Sequence, residues 1–139
     1  MSVVIDASMA LAWIFERQRT DEAERAQRIL GEAGRVAMIV PLLWYTEVAN
    51  ALLAGERRQV VSEAQVIDYL ARLDKLPIAQ DSARPDARRD QVMALARQYR
   101  LSAYDATYLE LALREGAGLA TFDGKLADAM RSAGGNVPG

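Results

Sequence analysis

The chain has 139 residues, 51% of them hydrophobic, enough for one buried core of ordinary size and too apolar for disorder. It has no cysteine and no histidine, which excludes disulfides, thiol chemistry, Cys/His zinc sites and Ser-His-Asp triads. The net charge of −2 gives no overall basic field for nucleic acid, and no apolar run reaches the length of a membrane span. The N-terminus shows no basic region ahead of its apolar stretch, so no secretory signal is expected and cytoplasmic residence is the default. Lys75 and Lys125 are the only lysines; the other basic residues are arginines, which coding bias explains as well as phosphate binding does.

Val3–Ile5 reads as a buried strand ending on a carboxylate, Asp6. Ser8 is placed to cap a short helix through Met9–Phe15. Asp21 and Glu24 have capping-box spacing, with Ala23, Ala26, Leu30 and Ala33 following at helical intervals. Arg35–Pro41 is a second strand, and WYTEVANALLAG then reads as a helix stopped by Gly55. Ser62 with Gln65 opens a helix whose inner face is Ile67, Leu70 and Ala71. Leu76–Gln80 is a short strand, and Asp81–Asp86 (DSARPD) a loop. Val92, Leu95, Ala96 and Tyr99 mark an amphipathic helix, and Ser102 opens the next, AYDATYLELAL. Ala117–Asp123 is a strand and Lys125–Arg131 a last short helix; the tail GGNVPG holds either a small strand or none. This alternation predicts an α/β fold in a single domain, residues 1–139, with a mostly parallel sheet covered on both faces.

Four carboxylates fit this pattern poorly, because burying an unpaired carboxylate is expensive. Asp6 and Asp123 follow apolar strands, where open α/β sheets bind ligands. Each equally suits a helix cap or turn. Asp105 falls on the helix side of Tyr108, Leu109 and Ala112, toward the sheet, opposite a polar stripe of Thr107, Glu110 and Arg114. It also stands at capping-box spacing from Ser102. Glu47 lies in a segment apolar nearly all round and shares an edge with Asn50; a first-turn Glu favoured by the helix dipole is the competing reading. Two like charges about 4 Å apart repel by about 4 kcal/mol at an effective dielectric near 20. If the four converge, they call for a divalent cation, and all-oxygen ligands favour Mg²⁺ or Mn²⁺.

VVIDAS, TEVANAL, LSAYDATYLELAL and LATFDGKLADAM resemble, in order and spacing, the acidic motifs of PIN-domain ribonucleases, most closely the VapC toxins of toxin–antitoxin pairs. The likeness runs from Asp6 to the neighbourhood of Met130 and leaves Arg57–Asp90 without a family signal. It implies a PIN-like three-layer α/β/α fold with roughly five strands in a mostly parallel sheet. It implies Mg²⁺- or Mn²⁺-dependent hydrolysis of RNA phosphodiesters at Asp6, Glu47, Asp105 and Asp123, with Asn50 and Thr121 in supporting positions. A homodimer is implied as well, and a VapB-like antitoxin covering the acidic cleft.

On this basis Asp6 and Asp105 are expected to ligate the ion directly. Glu47 and Asp123 complete the pocket, directly or through water, and Ser8 and Thr121 orient carboxylates or waters. Two other functions fit the same residues: a nuclease of this fold acting on DNA or in RNA maturation, and a non-catalytic module whose acidic cleft holds a basic partner segment. Met9–Thr20 and Pro41–Gln59 offer apolar and Arg-rich helical surface, including Trp13 and Trp44, for a second copy or an antitoxin.

Overall fold

The computed structural model describes residues 1–139. Strands β1 (Ser2–Ile5), β2 (Ala37–Val40), β3 (Ile78–Gln80) and β4 (Gly118–Ala120) form one sheet, in the order β3-β2-β1-β4, with every pair parallel. The helices are α1 (Ala7–Leu11), α2 (Thr20–Gly31), α3 (Leu42–Arg57), α4 (Glu63–Leu73), α5 (Pro85–Tyr99), α6 (Ala103–Glu115) and α7 (Gly124–Ser132). β1 lies between two neighbours and under helices on both faces, which is why Val3, Val4 and Ile5 are apolar in unbroken sequence and all buried. From β1 to β2 to β3 the chain steps in one direction, so right-handed crossovers place α1–α4 on one face. The return from β3 to β4 places α5 and α6 on the other, where α6 packs on β1 and β4. The expected three-layer α/β/α architecture is therefore present. No helix is long and apolar enough to cross a membrane.

The sheet has four strands rather than the five expected from the resemblance. The C-terminal tail does approach β4, and the Leu119 N–H donates to the Asn136 carbonyl at 2.9 Å. Pro138 has no N–H to continue a ladder, and Gly134 turns the chain at φ 86°, so no strand forms.

Several boundaries move for identifiable reasons. The cap of α1 is Asp6, not Ser8, and α1 ends at Leu11 rather than running to Phe15. The Asp21/Glu24 capping box does not form: α2 starts two residues earlier, with Arg19 at the cap position, and Asp21 pairs with Arg19 at 3.0 Å instead. Gly55 does not stop α3. It sits buried inside the helix, where a Cβ would lie 2.7 Å from the Phe15 ring, so glycine is needed there for close packing. The Ser62/Gln65 capping box is present, but α4 buries Val66, Tyr69 and Leu73 while Ile67 is 61% exposed. The stripe of Thr107, Glu110 and Arg114 is partly to fully buried. α5 packs alongside it, and Arg88 reaches the buried Glu110 at 3.1 Å. Arg114 completes that network, bonding Glu110 at 3.0 Å and Asp81 at 2.7 Å.

Candidate active site

β1 and β4 are neighbours, yet the chain leaves β1 toward β2 on the opposite side. Such a switch in strand order opens a crevice beyond the carboxyl ends of the two strands. Asp6 is the first residue beyond β1, and its N–H still reaches the Ala120 carbonyl at 3.2 Å, which pins it against the end of β4. Its side chain is buried and fully engaged with its own chain. Oδ1 accepts the Met9 N–H at 3.0 Å, capping α1, and the Ser8 hydroxyl at 2.7 Å. Oδ2 accepts the Thr121 hydroxyl.

The two hydroxyls act as a matched pair. The loop after β4 donates the Phe122 N–H to Ser8 Oγ at 3.0 Å and the Asp123 N–H to Thr121 Oγ1 at 2.9 Å. Each hydroxyl thus accepts one loop amide and is left to donate its proton to Asp6. Burial nevertheless pushes the Asp6 carboxyl above the ordinary range; these hydrogen bonds oppose the shift and the Asp123 charge adds to it.

The other three acids surround this centre. Asp123 is exposed and caps α7, accepting the Leu126 N–H at 3.0 Å on Oδ1. Asp105 lies in the first turn of α6, and its backbone N–H donates to Ser102 Oγ at 3.1 Å. The reciprocal half of a capping box is missing, so both Asp105 carboxylate oxygens are without a protein donor. Burial raises its pKa first, then the charges of Asp123 and Asp6, with Lys125 opposing. Glu47 is half-buried in the second turn of α3, not the first, so the helix-dipole reading fails. Tyr108, itself buried, donates its phenol to Glu47 Oε1 at 2.5 Å. Burial raises the Glu47 carboxyl, the Tyr108 bond opposes, and the Asp105 charge adds to the rise.

The four acids therefore form one electrostatic group: Asp123 acts on Asp6 and Asp105, Asp6 on Asp105, and Asp105 on Glu47. None of the four forms an ion pair with Lys or Arg. No three acidic side chains close on a common ligation point as they stand. Acceptor capacity nonetheless remains on all of them. A carboxylate offers about four lone-pair positions, and the most heavily used of the set, Asp6, fills only three. An all-oxygen, mutually repelling donor set of this kind fits a hard divalent cation.

Tyr108 and Trp44 are the contributors that sequence reasoning missed. The Tyr108 ring was legible as sheet-facing, three residues after Asp105 on the same helix side, but nothing in the sequence named its partner. Trp44 is buried and donates its indole N–H to the Asp6 carbonyl at 3.3 Å, so it belongs to the core and not to a partner groove. Trp13 lies in the turn after α1 and donates to the Ala26 carbonyl at 3.0 Å. Asn50 is exposed and makes no hydrogen bond to the acids. On the outer side, Phe122 carries two guanidinium groups over its ring, Arg17 at 4.6 Å and Arg25 at 5.2 Å.

The PIN domain family matches residues 3–131. Ribonuclease VapC3 of Pyrobaculum aerophilum is 30% identical over 129 residues, covering 92% of this chain and 94% of that one. Among solved structures, PAE2754 from Pyrobaculum aerophilum superposes with a TM-score of 0.69 at 23% identity, covering 93% of this chain and 86% of that one. Mycobacterium tuberculosis VapC20, described as a Sarcin-Ricin loop cleaving toxin, gives 0.66 at 17% identity over 92% and 95%. FitAcB from Neisseria gonorrhoeae gives 0.63 at 14% identity over 99% and 96%. At these identities the structural likeness shows the fold alone.

Proposed function

The chain belongs to the PIN-domain family, and from that premise we propose that it is a metal-dependent endoribonuclease acting as the toxin of a toxin–antitoxin pair. One observation carries the reading: at the switch point the charges of neighbouring acids raise the proton affinity of Asp6, Glu47 and Asp105, and the Asp105 carboxylate makes no hydrogen bond or ion pair. Structural caps would not need that arrangement. Asp6 and Asp105 are the proposed direct ligands of Mg²⁺ or Mn²⁺, with Glu47 and Asp123 completing the shell directly or through water. A divalent ion held there supplies Lewis-acid stabilisation of the phosphoryl oxygens and lowers the pKa of an attacking water.

The chain's own residues supply position. Ser8 and Thr121 lock the Asp6 carboxylate from both sides, and Tyr108 fixes Oε1 of Glu47, leaving Oε2 for a ligand. Closure of the shell calls on the side-chain freedom of Asp105 and Glu47, which are half-buried where Asp6 is not. Arg17 and Arg25 lie over the ring of Phe122, the residue before Asp123, and are the proposed cationic contacts for the RNA backbone on that side.

The antitoxin reading rests on the relatives' names together with one surface. A groove of about 380 Å³ between α1 and α3 runs from Ser8 past Phe15 to Arg17 and Arg58. An antitoxin segment with apolar and acidic side chains fits it and would lie against the Asp6 centre. For the homodimer, the outer side of α3 exposes Tyr45 and Leu53 on one stripe.

The test is cleavage of single-stranded RNA by purified protein with Mn²⁺, with EDTA, and as Asp105→Asn. Activity that requires Mn²⁺ and disappears in the variant, with the metal-free melting temperature kept or raised, is expected. Metal-dependent cleavage undiminished by Asp105→Asn would sink the site assignment; no cleavage by the wild type would favour the non-catalytic module.

A further inference from the structure

A cavity of about 570 Å³ lies between α3, α5 and α6 and takes no part in the chemistry described so far. None of the four acids lines it, but its walls belong to the same two helices that carry Asp105 and Glu47. Ala103, Tyr104 and Thr107 of α6 line it and bracket Asp105 in sequence, and Leu43 of α3 lines it one helical turn before Glu47. Its floor is the buried Glu110, whose charge is neutralised by Arg88 and Arg114. Two residues at the rim have no such internal duty. Arg89 is exposed and takes part in no ion pair or hydrogen bond, and Tyr104 is 63% exposed beside an acid otherwise half-buried. Arg88 uses only its Nε on Glu110, which leaves its terminal nitrogens unengaged. Asp81 and Asp86 also line the cavity, each held in an ion pair, Asp81 by Arg114 and Asp86 by Arg84; Pro41, Leu42, Ala83, Pro85 and Val92 complete an apolar wall.

We propose that this cavity is a nucleotide subsite of the ribonuclease, holding the unpaired base next to the scissile phosphate against Tyr104 and that nucleotide's phosphate on Arg89 and Arg88. The proposal rests on the endoribonuclease reading above. Its volume lies within the range of small-molecule sites, roughly 300–1,000 Å³. An aromatic ring beside guanidinium groups is the pairing that binds single-stranded nucleic acid, because every base has a face to stack and every nucleotide a charge to pair. The need is physical: RNA brought toward four carboxylates is repelled unless cations outside the acid cluster hold its neighbouring phosphates. A stacked base must leave its helix, so the subsite selects single strands and unpaired loops over duplexes, with only modest preference among bases.

The experiment measures steady-state cleavage of a labelled, mixed-sequence single-stranded oligoribonucleotide by the Mn²⁺-loaded protein, with Tyr104→Ala and Arg89→Ala as variants. Both side chains are exposed, so both variants fold. Each is expected to raise KM about ten-fold, the size of one lost base stack or phosphate contact, while kcat changes far less. Tyr104→Phe, which keeps the ring, recovers the KM lost in Tyr104→Ala. An abasic nucleotide beside the cleaved bond raises the wild-type KM and adds nothing in Tyr104→Ala. Unchanged KM in both variants, with the wild type cleaving, overturns the subsite and leaves the nuclease reading standing. A changed dimer dissociation constant at unchanged KM also overturns it and assigns this face to a second copy. A wild type that cleaves no RNA with Mn²⁺ overturns both.

Discussion

Thr121→Val tests whether the Asp6 carboxylate is held from two sides. The substitution keeps the side chain's shape and removes one hydroxyl from a residue 1% exposed. That hydroxyl makes two bonds, accepting the Asp123 N–H at 2.9 Å and donating to Asp6 Oδ2. A hydrogen bond to a charged group contributes about 1.5–3 kcal/mol, and a neutral one about 1 kcal/mol. The Asp123 amide lies in an exposed loop and regains water, so the total loss should be about 2–3 kcal/mol, large against a typical stability of about 5–15 kcal/mol. Asp6→Asn is the informative partner. Burial raises the Asp6 carboxyl, so its charge destabilises the fold at neutral pH, and the neutral amide should leave metal-free stability equal or higher. In the Asp6→Asn background the Thr121→Val loss should shrink to about 1 kcal/mol, because no charged bond remains to break. The four proteins are compared by urea unfolding in EDTA at pH 7. A coupling of about 1–2 kcal/mol is expected; additivity within about 0.5 kcal/mol would mean that the hydroxyl serves only the loop amide and that the matched-pair account is wrong.

Tyr108→Phe should weaken Mn²⁺ binding by about ten-fold in calorimetry, as loss of a residue that orients a ligand does, while the ring keeps the core filled; unchanged affinity would remove Tyr108 from the site. Metal-free stability should fall as pH rises above the ordinary carboxylate range. Asp6, Glu47 and Asp105 have raised carboxyls, so the folded chain binds more protons than the unfolded one between the ordinary carboxylate range and their folded values. Asp81 has the opposite sign: its ion pair with Arg114 outweighs burial and lowers it, so its contribution is intact throughout that window and is lost only under more acidic conditions. A urea midpoint in EDTA that is flat or rising over the window would contradict the clustering of the three acids. Glu110→Gln should cost about 3 kcal/mol by leaving Arg88 and Arg114 with a neutral partner, yet leave Mn²⁺ affinity intact; a loss of metal binding would join that network to the site.

How much of this was legible depended on the kind of signal. Unbroken apolar runs announced β1, β2 and β4, and chain-order alternation announced the parallel sheet, because both are properties of contiguous sequence. Ser62/Gln65 was readable for the same reason: both halves of its capping box are local. Gly55 misled because its cause is Phe15, forty residues away, whose ring occupies the space a Cβ would need. The burial of Glu110 was not legible because it depends on Arg88 arriving from α5. Tyr108 had a visible face but an invisible partner, since Glu47 lies 61 residues away. The fifth strand was an expectation carried by resemblance, and Pro138 and Gly134 in the tail argued against it.

The opposition between cap and ligand, which the sequence left open for three of the acids, is not a real opposition for two of them. A cap uses one lone pair of a carboxylate that has about four. Asp6 caps α1 through Oδ1 and Asp123 caps α7 through Oδ1, and each retains acceptor capacity for an ion. The cap is even useful to a ligand, because it fixes the carboxylate before the ion arrives and so reduces the entropy lost on binding. Asp105 decides the matter from the other direction. It stands at capping-box spacing, its backbone N–H is satisfied by Ser102, and still its carboxylate reaches back to nothing. A half-buried charge near two like charges is costly, and with no structural bond its only compensation within the chain is the charge of Lys125. If Asp105→Asn raised metal-free stability and removed Mn²⁺ binding together, the charge would be there for the ion. If it lowered metal-free stability, the fold itself would depend on that carboxylate, and the metal site would lose its strongest support.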